Sequence, residues 1–187
     1  ARGGSPSDSS TIGKVLLFPD TFTNYNHPEI GVSATKLLEG LGYQVILPKV
    51  RCCGRPMLSA GMMERARGNA RYNVDQIYPY IKRGVKLVGL EPSCLLGFRD
   101  DYVDLLPDDE KARVVSENSM LVEEFILHII EKDGIAPDWD GGGRKILLHG
   151  HCHQKALVGI DKAVEVLNSV PGLSVKEIDS GCCGMAG

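Results

Sequence analysis

At 187 residues, 43% hydrophobic and 24% charged, the chain is sized for one globular domain or two small halves sharing a core. A net charge of -3 and a pI near 6.0 offer no basic surface for nucleic acid, and no apolar run is long enough for a membrane-spanning helix. Six cysteines without a recognisable secretory leader predict a reducing, cytoplasmic setting in which thiols ligate metal or carry out redox work.

Residues 1–11, opening ARGGSPSDSS, read as a linker or an expression remnant. Lys14 to Phe18 is a continuous apolar run closed by Pro19, the pattern of a buried strand, and DTFTNYN reads as a loop. Pro28 suits a first helical turn, and the stripe Ile30, Ala34, Leu37, Leu38 and Leu41 predicts a helix stopped by Gly40 and Gly42. A strand in YQVILPKV then delivers the chain to Arg51 and the doublet Cys52–Cys53. Ser59 is the expected N-cap of a long helix with Ala66, Ala70, Val74, Ile77 and Ile81 buried, kinked near Pro79 and ended by Gly84. VKLVGL is a third strand running into EPSC and Cys94. RDDYVDLLP predicts a short helix, and Asp108 to Glu110 a solvated helix start. Val122, Phe125, Ile126, Ile129 and Ile130 mark another helix, with Asn118 or Ser119 as cap and Gly134 as stop.

After a linker at 137–143, within IAPDWDGGGR, the pattern starts again. Lys145 to Leu148 is a strand, Ile160, Ala163, Val164, Leu167 and Val170 mark a helix, and LSVKEID is a strand that ends at Cys182–Cys183. Setting Lys14 over Lys145 places Thr21 on Cys152. Thr21 then lies 31 positions before Cys52, and Cys152 lies 30 before Cys182. The chain therefore reads as an internal repeat, with a first copy at 12–136 and a second, truncated copy at 144–187. On this reading the protein continues past Gly187.

Strands alternating with helices predict an α/β fold of pseudo-repeated parallel-sheet halves with helices packed on the sheet. Ligands in such folds collect beyond the carboxyl ends of the strands. Each cysteine follows a predicted strand, so residues distant in sequence are expected to meet at one sheet edge. Adjacent cysteines make a strained disulfide, and Gly54 and Gly184 let the backbone bend after each doublet. Thiolates gathered this way suit an iron–sulfur cluster or zinc; with no CxxC present, the spacing fits the corners of a cluster better. Arg51, Arg55 and Lys155 are placed to offset the thiolate charge.

The segments CCGRP, LEPSCLLGFRDDY, HGHCHQKAL and DSGCCGMAG, together spanning about residues 12–187, resemble the cysteine-rich CCG domain family. Members include the heterodisulfide reductase B subunit, the iron–sulfur subunits of glycolate and lactate oxidation and the anaerobic glycerol-3-phosphate dehydrogenase C subunit. The nearest resemblance is to the C-terminal iron–sulfur region of FAD-linked D-2-hydroxyacid oxidases and dehydrogenases. It implies an electron-transfer module of a larger oxidoreductase, inactive alone, carrying a 4Fe–4S-type cluster in the intact protein. FAD would sit in a domain not present here. Partners would be the FAD-binding domain or subunit and a ferredoxin-like cluster domain, with membrane association only peripheral and through them. Carried over by motif, Cys152, Cys182 and Cys183 would be the metal ligands of the second copy, and Cys52, Cys53 and Cys94 the cofactor-binding cysteines of the first.

The first copy departs from the family pattern twice. Thr21 stands where a leading cysteine is expected, and Gly97 where Cys94 would have its CxxC partner. His149, His151 and His153 alternate and would share one face of an extended strand. His151 and His153, with Gly54 and Gly184, are expected to support the ligands. Glu91 and Arg99, flanking Cys94, form either an ion pair or a functional pair. Two other readings stay open: a zinc-stabilised docking domain using Cys152, His151 or His153, Cys182 and Cys183, or a metal-free thiol–disulfide centre. No GxGxxG follows any strand, which places nucleotide-dependent hydride chemistry elsewhere.

Overall fold

The structure is a computed structural model describing residues 11–135, 137–179 and 181. The predicted opening linker lies outside these residues save for Thr11, and so do Cys182, Cys183 and Gly184.

Four strands form a parallel sheet: β1 (Gly13–Leu17), β2 (Tyr43–Ile46), β3 (Lys86–Gly89) and β4 (Ser119–Leu121), in the spatial order β2-β1-β3-β4. Val15 pairs with Val45 on one side and Lys86 on the other, so β1 is bonded along both edges. Alternation along the strands sorts their side chains into two cores. Leu16 and Leu87 face α4 (Met63–Ile81), which buries Ala66, Ala70, Val74 and Ile77, together with α5 (Pro92–Arg99), α6 (Asp101–Leu105) and α7 (Glu110–Glu117). Val15, Leu17 and Val88 face α2 (Pro28–Gly40) and α8 (Val122–Asp133) on the opposite side, with Trp139 packed at the margin. This is the expected α/β architecture, a buried parallel sheet covered by helices on both faces.

A second, two-stranded parallel sheet follows, from β5 (Lys145–Leu148) and β6 (Ser174–Glu177), joined by α9 (Cys152–Leu157) and α10 (Asp161–Asn168). β1 and β2 are likewise joined by two helices, α1 (Thr21–Tyr25) and α2. Lys14 pairs with Gln44, an offset of 30, and Lys145 with Ser174, an offset of 29. The second unit rests on the first through Val166 of α10 in the α2–α8 core and through Gln154 Nε2, which donates to Glu123 Oε1 at 2.6 Å.

Several local expectations are corrected. DTFTNYN is not a loop: Asp20 Oδ1 accepts from the Thr23 amide at 2.9 Å and starts α1. Ser59 does not cap the long helix; it ends a short α3 (Arg55–Ser59), and α4 begins at Met63. Asn118 and Ser119 do not cap α8 either. Their side chains donate to the Val114 and Val115 carbonyls, closing α7, while Glu124 reaches back to the Leu121 amide at 2.9 Å. Between them lies β4, three residues long and without its own periodicity signal. Ile30 is half exposed rather than core, and in α10 the buried residue is Val166 rather than Val164 or Leu167. No helix among the described residues is long and apolar enough to cross a membrane.

Candidate thiol site at the carboxyl ends of the strands

The loop leaving β2 carries Arg51, Cys52 and Cys53, and it is fixed by side chains of α4 and α6 rather than by its own hydrogen bonds. Asn73, fully buried, accepts from the Arg51 amide at 2.7 Å and donates to the Arg51 carbonyl at 3.1 Å, taking the place of a neighbouring strand. Its Nδ2 also donates to the Tyr102 hydroxyl at 2.9 Å, and that hydroxyl donates to the Cys53 carbonyl at 3.0 Å. Asn69 Nδ2 donates to the Cys52 carbonyl at 3.1 Å. Burial drives the Tyr102 phenol well above its ordinary pKa, so it stays a donor at every working pH. Gly54 follows at φ 95°, a left-handed turn that a side chain would strain, and it starts α3.

Cys94 arrives from β3. EPSC leads into the first turn of α5, where Glu91 is the N-cap and accepts from the Cys94 amide at 2.6 Å. The clamp and this cap bring Cys53 Sγ to 3.0 Å from Cys94 Sγ, across 41 positions of sequence. Both thiols are buried, 5% and 8% exposed, and neither is disulfide-bonded; Cys52 beside them is half-buried. A hydrogen bond from Cys94 holds the Cys53 thiol below the ordinary cysteine value, and that shared bond together with burial drives Cys94 far above it.

The second unit meets the first beside this pair through His151 and His153. β5 ends at Leu148, so the three histidines do not share a strand face. His151 Nδ1 accepts from the His153 amide at 3.2 Å, capping α9, and its Nε2 faces Ser93 Oγ at 3.2 Å and Glu91 Oε1 at 3.6 Å. Arg55 Nη2 donates to His153 Nε2 at 3.0 Å and to Asp101 Oδ2 at 2.6 Å. The guanidinium needs a neutral imidazole to accept from it, and burial together with Arg55 lowers the His153 pKa accordingly. Both ring nitrogens of His151 are thus engaged by protein groups. His149 faces the Gly181 carbonyl at 3.0 Å.

Cys152 stands exposed at the start of α9, at the carboxyl end of β5. Its expected companions Cys182 and Cys183 lie outside the described residues. Among the described residues no three His, Cys, Asp or Glu side chains converge to hold a metal ion. Expected charge roles also shift. Arg51 lies over the Tyr72 ring at 4.2 Å, Lys155 is 3.5 Å from Glu177, and Arg99 pairs with Glu124 at 2.7 Å rather than with Glu91. Sequence reasoning overlooked Asn69, Asn73 and Tyr102. Asn73 had a readable signal, a polar residue among Ala66, Ala70 and Ile77 at the spacing of the buried face.

A parallel α/β domain that gathers cysteines from separate strands at one edge defines the class, a cysteine-rich α/β module. Residues 16–99 match the model of the cysteine-rich domain CCG. It is 30% identical over 176 residues to the C subunit of the anaerobic glycerol-3-phosphate dehydrogenase of Escherichia coli K12, covering 93% of this chain and 44% of that protein. It is 28% identical over 182 residues to the D-2-hydroxyglutarate dehydrogenase of Pantoea ananatis, covering 97% of this chain and 17% of that protein. It is 26% identical over 183 residues to lactate utilization protein A 1 of Bacillus anthracis, covering 93% and 72%. The chain thus spans less than half of the first relative and about a sixth of the second. No solved structure matches it significantly.

Two outcomes follow for the site. Asn73→Ala strips the loop of its clamp and is expected to cost about 2–3 kcal/mol in urea denaturation, since several buried polar groups lose their partner. Titrating thiolate absorbance in the reduced protein should show Cys53 ionising below the ordinary cysteine range. Cys94→Ala should move that ionisation to higher pH, because the donor that stabilises the thiolate is gone.

Proposed function

We propose that the chain is the electron-transfer module of a flavin-linked dehydrogenase. The observation that carries this reading is the convergence of thiols from different strands at the sheet's carboxyl edge, in a family whose named relatives are dehydrogenases or a lactate-utilization protein. Glycerol-3-phosphate, 2-hydroxyglutarate and lactate, the compounds those relatives are named for, share a secondary alcohol beside a carbon bearing an anionic group or phosphoester arm. Its oxidation to a ketone releases two electrons and two protons. A flavin elsewhere in the assembly would accept them, and this module would pass electrons on. Within that class a 2-hydroxy acid is the substrate we favour.

The chain reads as two copies of one unit, at 12–136 and 144–187. The matching order of strand, two helices and strand, and the one-residue difference in pairing offset, support this. We assign the iron–sulfur cluster to the second copy, with Cys152, Cys182 and Cys183 as ligands. Bound there, it would supply one-electron transfer. The first copy does not fit a metal. Two thiolates on one tetrahedral ion with metal–sulfur bonds of about 2.3 Å sit roughly 3.8 Å apart, whereas Cys53 and Cys94 are at 3.0 Å. Thr21 is exposed in α1, and a side chain at Gly97 would come within 3.2 Å of Asp101 Oδ2, which Arg55 already holds.

Iron and sulfide analysis of the anaerobically prepared intact protein tests the assignment. Cys152→Ser and Cys182→Ser should each lose at least half of both elements. Unchanged iron in both variants would sink it.

A further inference from the structure

We infer that Cys53 and Cys94 are a redox centre of their own, a buried dithiol that closes reversibly into a disulfide. The two residues come from segments after different strands, and their sulfurs stand 3.0 Å apart. A disulfide needs about 2.05 Å, so closure asks for a movement of roughly 1 Å. The approach is built into the fold. Cys53 is held by Tyr102 on its carbonyl and by the Asn73 clamp on Arg51 just upstream, and Cys94 by the Glu91 cap on its amide. Cys52 is the neighbour of Cys53 in sequence, but a bond between adjacent cysteines closes a strained ring. Cys94 is therefore the partner of Cys53.

The co-reactant is a small-molecule disulfide, RSSR. The Cys53 thiolate attacks one of its sulfurs, breaking the S–S bond and releasing RS⁻, which takes up a proton. Cys94 then gives up its proton and displaces the second RS⁻ from the mixed disulfide, forming the Cys53–Cys94 bond. In sum two thiols are oxidised by two electrons with loss of two protons, and RSSR is reduced to two RSH. Excess RSH runs the same steps backwards. Because Cys53 and Cys94 are both buried, exchange is slow compared with that of an exposed thiol.

The test uses the intact protein, reduced anaerobically and equilibrated across a series of oxidised-to-reduced glutathione ratios. Each sample is quenched with acid, alkylated and mapped by peptide mass. The expected result is a single internal disulfide, Cys53–Cys94, whose fraction follows a two-electron midpoint. Cys52→Ser should retain it, and Cys53→Ser and Cys94→Ser should each cut the yield of internal disulfide at least tenfold. Where either of those variants fails to fold, the wild-type map and Cys52→Ser still decide the matter. Both residues remaining alkylatable at every ratio would overturn the inference, as would pairing of either with another cysteine. Iron in the same samples separates this from the cluster assignment. Iron retained in Cys53→Ser supports a separate dithiol, and iron lost from a folded Cys53→Ser overturns it. Wild-type protein without iron would sink the cluster assignment and leave the disulfide map to stand by itself.

Discussion

One amide side chain holds the site together. Asn73 donates to and accepts from the backbone of Arg51 and passes a further hydrogen bond to Tyr102, which holds the Cys53 carbonyl. Without that clamp, the segment after β2 would be an ordinary surface loop with a free choice of conformations. With it, a buried sulfur is placed against another that arrives from β3. The constraint is costly in isolation, because an unpartnered buried amide loses roughly 1–3 kcal/mol. It is met here because α4 packs Ala66, Ala70, Val74 and Ile77 under the sheet and carries Asn73 among them.

The surroundings of the pair set its chemistry. Glu91 spends one carboxylate oxygen on the Cys94 amide and turns the other toward His151. Its negative charge helps to hold Cys94 protonated, while Cys94 in turn stabilises a thiolate at Cys53. Arg55 is directed to Asp101 and His153 and braces the two units against each other at the edge where the sulfurs lie. The parallel sheet explains why these groups meet at all: β2, β3 and β5 each end just before a cysteine-bearing segment.

Much of this architecture was legible in the sequence, and the reasons are physical. KVLLF, VKLVGL and KILL are apolar runs of strand length, and buried parallel strands have just that pattern. The repeat we propose rests on both stretches keeping a strand, a helical stripe, a strand and a cysteine pair in nearly equal spacing. β4 could not be read, because three residues give no periodicity and its place is fixed by pairing with β3. The caps misled for a similar reason: Asn118 and Ser119 are good caps, but they bond backward to α7 while Glu124 serves α8. The meeting of Cys53 with Cys94 followed from topology, yet Asn69 and Tyr102 as its supports did not, since their partners are backbone groups of a distant loop. The alternating histidines pointed to an extended strand, and the helix that starts at Cys152 dissolved that face.

The position of iron separates the two roles we propose, a cluster held with Cys152 and a dithiol of Cys53 and Cys94. Iron-edge anomalous diffraction from anaerobically grown crystals of the intact protein would show it directly. Anomalous density beside Cys152, with none within bonding distance of Cys53 or Cys94, is the predicted result. Iron bonded to Cys53 and Cys94 would contradict the account.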